Sequence, residues 1–351
     1  METVTHPAPV IALSTNNPNG QEKSQPKNEQ QKKSSYLSKS ILSFDDLELL
    51  EIPERLSLLP WMPEGGLVMI YGPRGIGKTF FSLTLALSLV KGEKFLKWEP
   101  SHSVGVLLVD GEMSLWEVRN RFQSLKQGTF KQPLQILSHE HHFQQVQKDL
   151  DFGIQENHKH LMEYLEIFPA IKVVILDNLS SLFPTLREDK RDDWVNHAQP
   201  LLLRLRRRGI ATVLIHHSGK GGDQRGTSSR EDSLDTIIRL EKAGLEETHK
   251  GANFILSFTK NRSCFGEDIA PIEATLTPNE EGPPTWSYKP VEEGNEERLI
   301  NMVRSGIDNV TEAAEAMGLA KGTISKIKKR LQDKCILKPG FKLVLNESSP
   351  N

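Results

Sequence analysis

The chain has 351 residues, 37% of them hydrophobic, and a formal net charge of −2 at pH 7. That length suits about two domains with at least one sizeable core, and that charge excludes a global bias toward nucleic acid, so any such surface must be local. The two cysteines, Cys264 and Cys335, stand far apart and outside any metal-ligand spacing, which argues for a reducing compartment over a disulfide scaffold. No apolar run reaches the roughly 18 residues of a membrane span, and no charged region followed by an apolar stretch opens the chain, so a cytoplasmic protein with no membrane partner is expected.

Residues 14–35 contain no aliphatic or aromatic side chain. Such a segment cannot bury enough surface to offset its ordering entropy, and residues 1–40 read as a disordered tail. Residues 43–59 mix acidic and leucine-rich positions and read as a short helix or arm, packed on its own domain or on a neighbouring subunit. An apolar strand follows over residues 66–71, then an octet over 72–79 that fits GxxxxGK[ST], then an apolar helix of Leu, Ala and Ser over 80–90.

Strand, loop and helix in that order are what the phosphate loop of nucleoside triphosphatases requires. The expected phosphate-binding residues are therefore Gly72, Pro73, Arg74, Gly75, Ile76, Gly77, Lys78, Thr79 and Phe80. Glycines let successive backbone N–H groups face one concavity, Lys78 reaches the β and γ phosphates, and the Thr79 hydroxyl ligates Mg²⁺. No side chain at Gly77 is expected to fit so near the phosphates. ATP is the default triphosphate.

Further apolar runs recur at 104–109, 134–137, 172–176, 211–215, 236–240 and 254–259, with helical patterns between the earlier ones. Alternating strands and helices imply an α/β fold, a mainly parallel sheet covered by helices on both faces. In such a sheet ligands sit outside the carboxyl ends of the strands, so residues that terminate apolar runs are the candidates for chemistry. The run 104–109 ends in Asp110-Gly111-Glu112-Met113. A carboxylate there faces the γ-phosphate, and Glu112 is the favoured general base. Asp110 is the alternative occupant, although its position nearer the strand suits a structural hydrogen bond.

The run 172–176 ends in Asp177, the form of the second nucleotide-binding motif, in which the acid holds Mg²⁺ through water. An acid after a strand otherwise caps the next turn. The run 211–215 leads to His216 and His217, either of which could donate to a phosphate oxygen and change partner after hydrolysis. A neutral histidine bonded to backbone is the plain alternative for each. The segment 218–229 has the Gly, Lys, Arg and Ser content of a mobile loop able to touch a polyanion, or of a merely solvated one. After 254–259 come Lys260-Asn261-Arg262. Two cations one residue apart suit a γ-phosphate, in their own subunit or across an interface, and a surface basic cluster is the alternative.

Pro283-Pro284 and the Glu-rich residues 291–297 mark a boundary. Beyond it, residues 295–345 read as a small helix-turn-helix domain with helices at 295–303, 310–317 and 321–332 and a tight turn at Gly318-Leu319-Ala320. Between Lys321 and Lys342 there are eight basic residues against Asp333 alone. That density attracts phosphate backbones, although a helical hairpin used for assembly is the competing reading. Residues 335–345, centred on Gly340, could form the wing of a winged variant.

In their order, the octet 72–79, Gly111-Glu112-Met113, Asp177-Asn178-Leu179-Ser180-Ser181-Leu182, His216-His217 and Lys260-Asn261-Arg262 resemble the RecA-like ATPases. Within these the chain is most similar to the RepA-type hexameric replicative helicases of plasmids and phages, relatives of the DnaB helicases, over about residues 45–290. The resemblance implies a RecA-like core over residues 41–290 and a hexameric ring with single-stranded DNA in its channel. It implies ATP and Mg²⁺ as cofactors, with Lys78 and Thr79 on phosphate and metal, Glu112 activating water and Asp177 supporting the metal. His216 or His217 would sense the γ-phosphate, and Arg262 with Lys260 would reach a neighbour's ATP. Two departures matter: no folded primase-binding domain of the DnaB kind precedes the core, and the basic C-terminal domain, which could take duplex DNA, is not part of the helicase pattern. An ATP-dependent DNA-binding regulator or helicase loader is the alternative to a motor.

Overall fold

The computed structural model describes residues 37, 40–52, 54–126, 128–187, 190–218, 229–243, 251–279, 282–291, 295–333 and 336–343. All of the tail expected over residues 1–40 except Leu37 and Ser40, most of the loop expected over 218–229, and Lys334 and Cys335 of the basic stretch lie outside the described residues. Residues 1–54 and 55–351 form separate units. In the first, α1 (Phe44–Leu49) opens with a capping box between Ser43 and Asp46, and its Phe44, Leu47 and Leu49 are exposed.

The second unit opens with a small antiparallel pair, β1 (Ser57–Leu59) and β2 (Met62–Pro63). Next come β3 (Leu67–Gly72), α2 (Lys78–Lys91), β4 (Gly105–Asp110), α3 (Leu115–Leu125), β5 (Leu134–Ser138), α4 (His139–Val146), α5 (Gln155–Ile167) and β6 (Ile171–Asp177). They are followed by α6 (Leu179–Leu182), α7 (Arg191–Asp193), a π-turn over Trp194–Ala198, α8 (Gln199–Arg207), β7 (Ala211–His217), α9 (Ser229–Asp232) and β8 (Thr236–Lys242). The core closes with β9 (Ala252–Asn261), β10 (Ile272–Thr277) and β11 (Thr285–Pro290).

Among the described residues nine strands form one sheet in the order β11-β10-β9-β8-β3-β7-β6-β4-β5. From β8 to β5 all neighbours are parallel, whereas β9, β10 and β11 extend the sheet antiparallel. Strand alternation divides the core between the two faces. Val68 and Ile70 pack with Phe81 and Leu85 of α2 and Phe122 of α3, while Leu67 and Met69 pack with Leu161 of α5 and Leu201 and Leu205 of α8. Each such side chain taken fully out of water contributes about 1.5–3 kcal/mol.

The antiparallel extension is anchored to α2 by aromatic rings. Phe254 of β9 lies 6.1 Å from Phe81 and 5.7 Å from Trp286 of β11 between ring centroids, and Trp286 Nε1 donates to Thr84 Oγ1 at 2.9 Å. Pro283-Pro284, expected to mark a boundary, instead precede β11 inside the core, and the sheet runs on to Pro290. The reason is that β11 is the edge strand, largely in water, and β10 beside it buries only every second residue, so neither shows an apolar run.

The described residues of the C-terminal region form three helices, α10 (Asn295–Arg304), α11 (Val310–Met317) and α12 (Lys321–Asp333), and a hairpin of β12 (Leu337–Lys338) with β13 (Lys342–Leu343). It has a cluster of its own, in which Leu299, Met317, Ile324, Ile327, Leu331 and Phe341 are buried together. Asn309 caps α11 through the Glu312 N–H, and Gly318 ends that helix in the left-handed region at φ 64°, where glycine carries no Cβ penalty. The buried stripe of α12 leaves Lys321, Lys326, Lys329 and Arg330 exposed.

Candidate nucleotide site

The site forms where β3, β4, β6 and β7 end side by side. Register sets Gly72 beside His217 and Asp110 beside Asp177, so residues distant in sequence converge on one rim of the sheet. Asp110, Asp177 and His217 line a cavity of about 400 Å³ together with Arg74, Gly75, Gly77, Lys78, Thr79 and Phe80 of the loop and first turn, within the roughly 300–1,000 Å³ usual for ligand clefts.

The loop conformation depends on its glycines. Gly77 caps α2 at φ 108°, and a Cβ there would collide with the Cβ of Ala252. The steric demand is thus from β9 as well as from any phosphate. A Cβ at Gly72 would come within 2.6 Å of the Leu240 carbonyl on β8. Both positions press the loop against the neighbouring strands, which leaves the N-terminus of α2 open to an anion.

Lys78 donates to the carbonyls of Gly72 at 2.9 Å and Pro73 at 2.7 Å. Burial lowers its pKa to about 8, opposed by the charges of Asp177 and Glu112. Desolvation disfavours an unpaired ammonium, and a polyanionic ligand would relieve that penalty. The Ile76 side chain is buried in the core rather than in the cavity, and Phe80 is half-buried with the Arg121 guanidinium 5.3 Å from its ring centroid.

The carboxylates differ in their surroundings. Burial pushes Asp177 up to about 6, against hydrogen bonds from Ser82 and Thr79; the Ser82 hydroxyl donates at 3.1 Å. Burial, reinforced by the Asp177 charge, pushes Asp110 up to about 7, and this side chain accepts the Met113 N–H at 3.1 Å, the structural bond anticipated for it. Glu112 stands out in the cavity mouth, exposed, where the Asn178 side-chain amide donates to it. Its carboxylate also lies 3.8 Å from His217 Nε2, within ion-pair distance when the imidazole is protonated.

Thr79 and Asp177 share a hydrogen bond, so the two groups that would hold Mg²⁺ meet at one point of the cavity. Among the described residues no group of three or more His, Cys, Asp or Glu could hold a metal by itself. That fits Mg²⁺, which usually takes one or two protein ligands plus substrate phosphates, and a cation beside two buried carboxylates of raised pKa offsets their desolvation.

The histidines separate. His217 lines the cavity, whereas His216 is fully buried and, one residue earlier on β7, faces the opposite side of the sheet. Only His217 is positioned as the candidate sensor, and the expectation for His216 is corrected by strand alternation.

Lys260 and Arg262 lie elsewhere. Because β9 runs antiparallel, Lys260 is level with Ile237 and Asn261 with Thr236, which is level with Val68. Lys260 therefore stands roughly 10 Å before Gly72 along the strand axis, at about 3.3 Å per residue, and Arg262 further still. Their donors go to the carbonyls of Glu231 and Asp232 at the end of α9, with Arg262 Nη2 at 3.3 Å. The antiparallel course of β9 sets both residues away from the carboxyl-end rim that carries the cavity of their own chain.

Two residues lining the cavity escaped the sequence reading, Glu117 and Arg121, four apart on α3, and Asn178, quoted there only as part of the motif after Asp177 and given no role, is buried and bonded to Glu112. The first two carry a legible signal in their helical spacing after Glu112; Asn178 is indistinguishable in sequence from a helix cap.

A comparison with curated proteins gives no match. Among solved structures, a KaiC-like protein from the hyperthermophilic archaeon Pyrococcus horikoshii OT3 is similar at 17% identity with a TM-score of 0.46, over 68% of this chain and 99% of that one. A family model described as an AAA domain (AAA_25) matches residues 31–223, a span that takes in the phosphate loop, both acidic strand ends and His217. Since it covers more than half of the sequence, the chain belongs to this AAA domain family of P-loop ATPase type.

Proposed function

We propose that the chain is an ATP-hydrolysing, DNA-associated motor that assembles head to tail into a ring, a replicative DNA helicase or translocase of the RepA type. The observation that carries this reading is the separation of the Lys78 cavity from the Lys260 and Arg262 pair at opposite ends of one sheet. If those cations serve a phosphate, it is a neighbour's. An interface joining one end of a chain to the other end of the next is heterologous, and such interfaces close into rings or run on as filaments.

In this account Lys78 and the loop amides hold the β and γ phosphates. Thr79 and Asp177 hold Mg²⁺, which supplies charge neutralisation of the phosphates when bound. Glu112 accepts the proton of the attacking water, His217 stands beside it to register the γ-phosphate, and Arg262 and Lys260 of the next copy stabilise the developing charge. Single-stranded DNA would pass through the ring, in the cytoplasm.

A second reading, an ATP-dependent DNA-binding regulator or helicase loader, is favoured by the C-terminal helices and hairpin. The exposed cations of α12 suit the backbone contacts of a helix laid in a major groove. Hydrolysis rates with and without single-stranded DNA, with a strand-displacement assay and particle mass in a non-hydrolysable nucleotide, separate the two. The motor reading expects DNA-stimulated turnover by a ring and displaced strand; stimulation by duplex alone, without displacement, supports the regulator. Deletion beyond Val291 should weaken duplex binding and flatten its salt dependence, and unchanged binding would make the module an assembly element.

A further inference from the structure

Glu112 is held poorly by its own loop. It is exposed, it follows a glycine, and the neighbouring Asp110 carboxylate is committed to the Met113 N–H. A glutamate so placed has several rotamers of similar energy, and a general base must stand within hydrogen-bond reach of the water it deprotonates.

Asn178 supplies what that loop lacks. It is 2% exposed, and its Oδ1 accepts both the Ser181 N–H and the Ser181 hydroxyl at 3.2 Å, which ties one end of the amide to the first turn of α6. Nδ2 is thereby aimed into the cavity, where it donates to Glu112 and lies 3.3 Å from His217 Nε2. The reversed amide would set a carbonyl against the Glu112 carboxylate and an NH₂ against the Ser181 donors, so the network admits one orientation. The two hydrogens of one nitrogen serve the two groups at the γ-phosphate end of the site.

We infer that Asn178 is a positioning residue, which fixes the Glu112 carboxylate and couples its placement to His217. The inference rests on the reading of Glu112 as the general base. It predicts that an oxygen cap at 178 is insufficient for turnover and that the amide donor is required.

The test uses the full chain. Asn178→Ser keeps an oxygen able to cap α6 and lacks Nδ2; we expect turnover to fall at least about tenfold, within what a positioned base supplies. Binding of a fluorescent ATP analogue should stay within about twofold, the tolerance of independent sites. In a Glu112→Gln background the same change should add no further loss. Asn178→Asp faces Glu112 with a second carboxylate, and paired carboxylates retain a proton, so the acid limb of the turnover–pH profile should move to higher pH, with partial recovery in alkali. Wild-type turnover in Asn178→Ser, an equal loss in the Glu112→Gln background, or loss of nucleotide binding, which would mark a purely structural cap, each overturns the inference while leaving the ATPase reading intact. A wild-type chain that hydrolyses no nucleotide overturns the ATPase reading and this inference together.

Discussion

At the carboxyl end of the sheet Lys78, Asp110 and Asp177 are buried, and burial draws all three toward neutrality, to about 8, 7 and 6. At the amino end Arg262 is exposed and Lys260 half-buried, and both donate to the carbonyls that close α9. Desolvated charges converging on a cavity are arranged for a ligand that restores their solvation, whereas exposed cations on backbone carbonyls can exchange partners at small cost. On the proposed reading, the difference is that one sheet presents two halves of a phosphate-transfer site that do not meet within a chain. The reversal of direction at β9 is what keeps them apart.

The comparison can be broken most severely at the carboxyl end. Lys78→Ala should remove measurable hydrolysis, followed as phosphate release, because among the described residues no other ammonium lines the cavity; normal rates would remove the site. At the amino end, Arg262→Ala should lower turnover by about 10³-fold or more, the range of an arginine supplied in trans, while nucleotide binding to the same chain persists. Equal loss of binding would place Arg262 in the fold of its own chain.

Smaller effects sharpen the same contrast. Gly77→Ala forces a Cβ against Ala252 at a positive φ and should destabilise the chain by about 1–3 kcal/mol, read as a lower melting temperature, with partial recovery on adding Ala252→Gly. A lesser, pH-dependent effect follows from Lys78. Its pKa is lowered to about 8 by burial, so the free ammonium gives up its proton as pH rises through that value, and a bound polyphosphate draws it back. Nucleotide affinity should decline above pH 8, with proton uptake on binding measurable by calorimetry in buffers of different ionisation enthalpy. Release of protons instead would contradict the assignment.

What the sequence made legible was whatever is buried on both faces. The runs ending at Asp110, Asp177 and His217 are strands flanked by helices, hence continuously apolar, and the phosphate loop is legible because its glycines have no substitutes. The direction of β9 was not legible, since an apolar run reads alike in parallel and antiparallel strands, and the position of Lys260 and Arg262 depends wholly on it. The choice between His216 and His217 turned on one step of strand alternation. β10 and β11 were missed because neither makes an apolar run: β11, at the sheet's edge, is mostly exposed, and β10 beside it buries only alternate residues. Asn178 acquires its place only from the contact across to Glu112.

Mixing two inactive variants tests the separation of the halves most directly. Lys78→Ala keeps the amino-end cations and loses the cavity's ammonium, and Arg262→Ala does the reverse. Combined in equal amounts under conditions of self-association, they should recover a measurable fraction of wild-type hydrolysis, since some interfaces then pair an intact cavity with an intact arginine. Co-assembly of the two variants with no recovery at any ratio would contradict the account.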